Sequence, residues 1–244
     1  MGLDQQHLAS MVHADASRCN QCALHALCLP GMTGCFSSAL GPVVAEDLKI
    51  SKGQALYHSG ERSHDLFVVK SGAFKIMTPV CGHQAHISGF RLPGDLIGAC
   101  GLACGQYAFT AIALDRATVC RLPMDRLREA SLRQPLLTQG LLQALSTQAV
   151  IAQRQITRAN LPALTRFALF LRDLSAHHKR RSLSAIAFDL PMPRTDIADY
   201  LSLAPETISR LLASLTKTGV IAVDGKLVQI LDSAALDDAA EAIA

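Results

Sequence analysis

The spacing of hydrophobic and polar positions changes along the chain, and each change predicts a different kind of structure. Between residues 42 and 123, apolar residues form short runs or alternate with polar ones, as in residues 65–69, 73–77 and 117–122. Short strands separated by glycine turns are typical of a compact all-β barrel or roll. We therefore predict a β-roll over residues 41–125. The glycines expected in its turns are Gly53, Gly60, Gly72, Gly82, Gly89, Gly94, Gly98 and Gly105.

A helical period follows the predicted roll. Apolar positions recur there at steps of three and four residues, and the stretch contains no Gly or Pro after Gly140. The stripe consists of Leu137, Leu141, Leu145, Ile151, Ala152, Gln155 and Ile156. We predict one long helix over residues 126–160. Such a stripe usually packs in a core, but this one is too long for either neighbouring domain to cover. It therefore favours a coiled-coil-like seam between two copies of the chain.

The C-terminal part, residues 161–244, contains the pattern of a winged helix-turn-helix. A helix around residues 163–176 precedes a short helix with Thr195 as its candidate N-cap. Residues 202–204 form the turn, and Pro205 suits the first position of a second, amphipathic helix. Two short helices joined by three residues predict a helix-turn-helix. Apolar runs on either side of Asp224-Gly225 then predict a hairpin, which would be the wing.

Four residues near the start of the second helix are candidates for DNA contact: Glu206, Thr207, Ser209 and Arg210. Glu206, Ser209 and Arg210 share one exposed face, at the end of the helix that enters a major groove. A carboxylate accepts a hydrogen bond from cytosine N4, and a guanidinium binds guanine O6 and N7. Basic residues also outnumber acidic ones ten to five between Arg154 and Lys217, so this half of the chain suits a phosphate backbone. The alternative is a merely solvated helix face.

A cysteine-rich arm occupies residues 1–40. Cys19, Cys22 and Cys28 lie within ten residues, and thiolates favour zinc, copper(I) and iron–sulfur clusters. The C-x2-C-x5-C spacing is not a common zinc spacing, and a fourth ligand is needed. From the motif alone, a zinc site or unligated thiols remain open. Cys35, Cys81, Cys100 and Cys104 are expected to be incidental, with Cys100 and Cys104 as a weaker ligand pair.

Composition narrows the classes of function. The chain has 244 residues, half of them apolar, and a formal net charge of +3, which suits a globular protein of one large or two ordinary domains. No signal-peptide pattern and no apolar run near the roughly 18 residues of a membrane span are present, so we expect a cytoplasmic protein without a membrane partner. No nucleophile–base constellation or clustered His/Glu ligand set predicts an enzyme. An electron carrier has no need of a helix-turn-helix.

Three segments together resemble the FNR branch of the CRP/FNR family of bacterial regulators: residues 206–212, residues 89–98, and the arm ending Cys28-Leu29-Pro30. The resemblance implies an α+β fold with an N-terminal β-roll (a cyclic-nucleotide-binding-like jelly roll), a dimerisation helix and a C-terminal winged helix-turn-helix. It also implies that Cys120, in the run Val119-Cys120-Arg121-Leu122-Pro123, is the fourth ligand. Cys19, Cys22, Cys28 and Cys120 would then hold an oxygen-labile [4Fe–4S] cluster.

The same resemblance implies an oxygen-sensing transcription regulator. As a homodimer at low oxygen, it would bind palindromic TTGAT-type sites in double-stranded DNA and meet RNA polymerase, with residues 89–98 as a candidate contact. A cluster-free regulator controlled by cysteine oxidation or by another ligand is the alternative. Residues 101–114 lack the Arg-Ser pair that holds cyclic AMP in CRP-like relatives, so no cyclic nucleotide is expected. Ser202 replaces a glycine that is usual in the helix-turn-helix turn.

Overall fold

The computed structural model describes residues 22–24, 28–29, 44 and 46–241. Cys19 and Cys35 lie outside the described residues, as does most of the predicted arm. The first eight strands are β1 (Glu46–Ile50), β2 (Ala55–Tyr57), β3 (Asp65–Ser71), β4 (Phe74–Val80), β5 (His83–Arg91), β6 (Leu96–Ile97), β7 (Thr110–Ala113) and β8 (Ala117–Pro123). A single helical turn, α1 (Gly101–Cys104), lies between β6 and β7.

These strands form two antiparallel sheets, in the orders β1-β8-β3-β6 and β2-β7-β4-β5. Alternation along the strands directs one face of each sheet into a shared core that includes Phe67, Val69, Phe74 and Val119. The predicted β-roll is therefore confirmed. The other face of the first sheet is also apolar, and it packs against helices.

Glycine serves two different purposes in the roll. Gly72 has a φ of 76° and joins β3 to β4, where an added Cβ would lie 2.7 Å from the carbonyl oxygen of Arg116. Both the turn and the close approach of backbone require glycine there. Gly89, predicted in a turn, instead lies inside β5. The register with β4 shifts beside it, between Ile76 and Met77, because a glycine within a strand marks a bulge.

The segment 126–160, predicted as one helix, lies in two helices. Helix α2 (Met124–Arg133) ends before Gln134, and α3 (Pro135–Arg158) begins immediately after it. Gln134 has φ −128° and ψ 94°, an extended conformation. The ring of the following proline disfavours the helical region for the residue before it. The chain therefore turns at Gln134, and the long helix starts nine residues later than predicted.

The C-terminal unit contains the predicted winged helix-turn-helix. Its elements are α4 (Ala163–Lys179), β9 (Ala187–Asp189), α5 (Arg194–Leu201), α6 (Pro205–Lys217), β10 (Ile221–Asp224), β11 (Leu227–Ile230) and α7 (Ser233–Glu241). Pro205 occupies the first turn of α6, as predicted. The hairpin β10–β11 forms with Asp224 opposite Leu227. Strand β9, which was not predicted, adds a third strand to this wing.

The N-cap prediction for Thr195 is wrong. Helix α5 begins at Arg194, its N-cap is Pro193, and no side chain caps it. The carbonyl oxygen of Pro193 accepts hydrogen bonds from the backbone amides of Asp196 and Ile197. With Pro193 as the N-cap, the helix starts two residues earlier than it would with a capping hydroxyl at Thr195.

The roll and the C-terminal unit share a hydrophobic core. Ala73, Leu92 and Leu114 of the roll pack in the same cluster as Phe167 and Leu171 of α4. Asp95, beside Leu92, accepts hydrogen bonds from His177 Nε2 at 3.1 Å and from the Leu92 amide at 2.8 Å. Partial burial alone would raise the pKa of Asp95, but these bonds and the charge of Arg181 lower it below its ordinary value. The segment 92–95, considered above for an external partner, is thus bound to α4.

Candidate thiol site and nucleic-acid interface

Cys120 lies in the middle of the first sheet of the roll. Strand β8 runs between β1 and β3, and Cys120 is directly opposite Asp47 on one side and Val68 on the other. Its side chain is half-buried and packs on the outer face of the sheet, against the cluster that contains Leu66 and Leu122. The face that carries Cys120 is thus the one turned toward the helices.

The described part of the arm meets this same face. Leu29 is buried in the cluster that Cys120 packs against, and Cys28 contacts it from its edge. Helix α3 contributes Leu137, Leu141 and Ala144 to the same cluster. Arm, sheet and long helix therefore share one small core.

A charged pair accompanies Cys120. Lys70 Nζ donates to Asp47 Oδ2 at 2.5 Å, and Cys120 Sγ donates to the other oxygen of Asp47 at 3.5 Å. The hydrogen bond to Asp47 raises the pKa of Lys70; burial opposes this rise, and the nearby thiols of Cys120 and Cys22 add to it. Lys70 thus lies within electrostatic reach of both cysteines. No sequence motif indicated Asp47 or Lys70, because only the strand register brings them to Cys120.

The candidate ligands that the structure describes do not converge on a metal site. No three His, Cys, Asp or Glu side chains among the described residues approach closely enough to hold a metal ion. Cys22, Cys28 and Cys120 lie on one side of the roll, whereas Cys19 lies outside the described residues. Cys100 packs in the inner core, and Cys81 and Cys104 are exposed. Thiolate sites usually assemble only as the metal binds. The fold without a metal therefore places Cys22, Cys28 and Cys120 on the same side of the roll but does not bring them together.

The predicted DNA-reading residues all lie on the first two turns of α6. Glu206 and Arg210 are exposed, while Thr207 and Ser209 are half-buried. Arg210 Nη2 donates to Thr207 Oγ1 at 3.3 Å, and Ser209 Oγ donates to the carbonyl oxygen of Pro205 at 3.2 Å. Thr207 therefore orients the guanidinium. Glu206 and Arg210 are the two charged groups that the first two turns of this helix present to solvent.

Ser202 supplies the turn before this helix. Its φ of 53° and ψ of 49° are left-handed, where glycine is usual. The amide of Leu203 donates to the carbonyl oxygen of Ala198 at 2.8 Å, as in the common ending of an α-helix. The turn therefore adopts the left-handed conformation and forms its helix-ending hydrogen bond without glycine.

Part of the basic excess in this half is used inside the molecule. Arg158 forms an ion pair with Asp173, and Arg166 Nη1 donates to the carbonyl oxygen of Leu201 at 2.7 Å. Arg181 pairs with His177 and Asp95. The count of ten bases to five acids therefore overstates the charge available to phosphates.

No helix in the described part of the chain has the length and apolarity needed to cross a membrane. Two family models match this chain. A Crp-like helix-turn-helix domain matches residues 165–239, and a cyclic nucleotide-binding domain matches residues 47–134.

Known proteins match over most of the chain. The transcriptional activator protein FnrA of Stutzerimonas stutzeri is 36% identical over 222 residues, covering 90% of this chain and 91% of FnrA. The fumarate and nitrate reduction regulatory protein of Salmonella typhi is 34% identical over 223 residues, covering 91% and 89%. FixK2 from Bradyrhizobium japonicum has a structure that superposes with a TM-score of 0.72 at 25% identity, covering 82% of this chain and 98% of FixK2.

These relatives are transcription regulators rather than enzymes, and their similarity covers both the roll and the helix-turn-helix. The fold, the order of its elements and the DNA-binding unit agree with them. The chain belongs to the CRP/FNR family of transcription regulators and is of the FNR type.

Proposed function

We propose that the protein is an oxygen-responsive transcription regulator that uses Cys19, Cys22, Cys28 and Cys120 to hold a [4Fe–4S] cluster. The single observation that carries this proposal is the common core of Cys28, Cys120 and α3. The donor set also supports it, since several thiols with no hard oxygen ligands among the candidates suit iron–sulfur chemistry. FnrA and the fumarate and nitrate reduction regulator are relatives whose names fit control of anaerobic genes.

A bound cluster would supply reactivity toward oxygen, and the protein would supply the response. As ligands of one cluster, Cys22 and Cys28 would tie the arm to Cys120 of the sheet. This tie would hold Leu29 in the core that also contains Leu137 and Leu141. Loss of the cluster would remove this constraint on the position of Leu29. The packing of α3 on the roll would weaken, and with it the seam that α3 offers to a second copy.

The dimer follows from the exposed side of α3. Apolar residues repeat there at alternating steps of three and four, which is the spacing of a coiled-coil seam. They are Leu142, Leu145, Ala149, Ala152 and Ile156, of which Leu142 and Ile156 are among the most exposed large apolar side chains described. A twofold dimer through this stripe would present two copies of α6, and such a pair matches a palindromic site.

We assign base reading in a TTGAT-type half-site to Glu206, Thr207, Ser209 and Arg210. Replacing Arg210 by Ala is expected to weaken binding to such a palindrome by roughly 5- to 150-fold, since a bidentate base contact contributes about 1–3 kcal/mol. Arg133→Ala removes an equally charged exposed side chain on α2 that pairs with Glu129, and it should leave the affinity unchanged. Equal losses in both variants would contradict this assignment.

The cluster is tested by purifying the protein without oxygen and measuring iron, acid-labile sulfide and visible absorption. Wild type and Cys104→Ala should carry a visible band that bleaches in air, because Cys104 is exposed and is not part of the shared core. Cys120→Ala should lack the band. A colourless wild type, or a Cys120→Ala protein that keeps its iron and sulfide, would contradict the proposal and favour a cluster-free regulator.

A further inference from the structure

Two carboxylates of α5 are held by the second sheet of the roll. Lys75 Nζ, on β4, donates to both oxygens of Asp196, at 3.0 and 2.9 Å. On β5, His86 Nδ1 donates to Asp199 Oδ1 at 2.7 Å and the Ile87 amide donates to Asp199 Oδ2 at 2.8 Å. We call these five residues the α5 clasp. It connects the roll directly to the first helix of the helix-turn-helix.

The clasp is shielded from water on one side. The side chains of Lys75 and Asp196 are only 22% and 13% exposed, so their ion pair is screened less than a surface pair. Phe90 lies next to it on β5 and packs edge-on against Tyr200 of α5, with ring centroids 5.2 Å apart. Asp196 and Asp199 are three residues apart and share a face of α5. Two bonded points and one aromatic contact fix the rotation of this helix.

The clasp leaves the DNA-reading face open. Glu206 and Arg210 stay exposed while α5 is bound to the roll. In a helix-turn-helix the first helix crosses the DNA backbone, and the clasp keeps two of its carboxylates directed at the roll rather than at phosphates. The clasped arrangement is therefore compatible with DNA binding.

Other contacts keep the C-terminal unit attached without the clasp. Asp95 binds His177 near the end of α4, and Gln155 of α3 donates to the carbonyl oxygen of Tyr200 at 2.9 Å. Removing the clasp should therefore change the angle of α5 and α6 rather than detach the unit. The distance between the two recognition helices of a dimer depends on this angle.

We propose that the α5 clasp determines which spacing between two half-sites the dimer accepts. This inference rests on the dimeric, palindrome-binding function proposed above. Half-site spacing is set by the geometry that a dimer imposes on its recognition helices. A roll that grips α5 rigidly makes that geometry strict, and Asp196, Asp199, Lys75 and His86 are then positioning residues for spacing rather than base-reading residues.

Lys75→Met and Asp199→Asn test the inference separately. Asn offers one acceptor oxygen where Asp199 uses two, and its amide group would face a donor. Asp237→Asn is the matched control: it removes the same charge from an exposed ion pair with Arg172, within the C-terminal unit and away from the roll. Thermal unfolding of each variant shows whether it is folded. If one clasp variant does not fold, the other still tests the inference.

The measurement is the affinity of protein prepared without oxygen for three duplexes that carry a TTGAT-type palindrome. In one, the two half-sites have the spacing that wild type binds most tightly; in the others, the spacing is one base pair longer or one base pair shorter. Wild type and Asp237→Asn should discriminate strongly between spacings. In both clasp variants the ratio of affinities between spacings should fall by ~5- to 150-fold, the usual range of coupling between sites. Folded clasp variants with the wild-type ratio would overturn the inference alone. Wild type that binds none of the duplexes would overturn both the inference and the proposed function.

Discussion

Ser202 adopts a strained backbone conformation at the turn between α5 and α6. Its φ of 53° places an L-residue in the left-handed region, which costs about 1–2 kcal/mol relative to the right-handed one. The hydrogen bonds that end α5 nevertheless form around it. The turn is therefore held by the packing of the two helices, against the local preference of serine.

Ser202→Gly is expected to stabilise the protein. Relief of the left-handed strain outweighs the added entropy of glycine in the unfolded chain, which leaves a net gain of about 0.5–1 kcal/mol. Ser214→Gly lies in the interior of α6, where φ is helical, and it should lower the free energy of unfolding by about the same amount. Chemical denaturation of the two variants gives both free energies of unfolding, and a destabilised Ser202→Gly protein would be inconsistent with strain at this turn.

Asp47 is expected to make the proposed cluster easier to lose. Its carboxylate lies 3.5 Å from Cys120 Sγ, so a thiolate at Cys120 would meet a like charge that Lys70 only partly offsets. Asp47→Asn should slow the loss of visible absorption in air by about 3- to 10-fold, or ~1 kcal/mol after that offset. Glu46→Gln removes the same charge from the neighbouring residue of β1, which pairs with Arg121 on the other face. Equal rates in the two variants would exclude this role for Asp47.

These residue-scale features mark the limit of sequence reasoning. Cysteine spacing and the helix-turn-helix pattern are local, and both were visible in the sequence. Asp47, by contrast, meets Cys120 from 73 residues away along the chain, and Lys70 meets Asp47 from 23 residues away. Lys75 and Asp196 are 121 residues apart. Nothing local distinguishes such residues from ordinary surface charges.

At the scale of elements, α3 carries two stripes rather than the single one predicted. Leu137, Leu141 and Ala144 pack on the roll, and Gln148 Nε2 extends this side by donating to the carbonyl oxygen of Leu96 at 2.9 Å. The second stripe, from Leu142 to Ile156, is exposed except at Leu145, which is half-buried. The period of three and four residues was correctly recognised, but two interleaved stripes share that period. Only the packing shows which leucine belongs to which stripe.

Leu142→Glu should therefore shift the protein toward monomer. Burying two leucines, one from each copy, contributes at least about 1.5 kcal/mol each, so the dimer dissociation constant should rise by roughly 100-fold or more. Leu136→Glu is the matched control, since Leu136 is 64% exposed against 60% for Leu142 and lies on the opposite side of α3. Sedimentation equilibrium measures both. A dimer that survives Leu142→Glu, or is lost equally in Leu136→Glu, would contradict the proposed seam.

At the scale of the whole molecule, two sets of contacts connect the roll to the helices that follow it. One runs from Cys28 and Cys120 through a shared core to α3, and the other runs from β4 and β5 through the clasp to α5. The order of roll, helix and winged helix-turn-helix could be predicted from periodicity and turn residues alone. The break at Gln134, the strand β9 and both connections could not, because each depends on contacts between distant segments.

The most direct test of oxygen control follows a single anaerobic sample that contains the protein and a labelled TTGAT-type palindrome. Visible absorption and fluorescence anisotropy of the duplex are recorded together as air is admitted in small steps. We expect the absorption band and the DNA-bound fraction to fall together, and a Cys120→Ala sample to show neither from the start. DNA binding that persists unchanged after the band has bleached, or that is equal in colourless protein, would contradict the claim that these thiols control DNA binding.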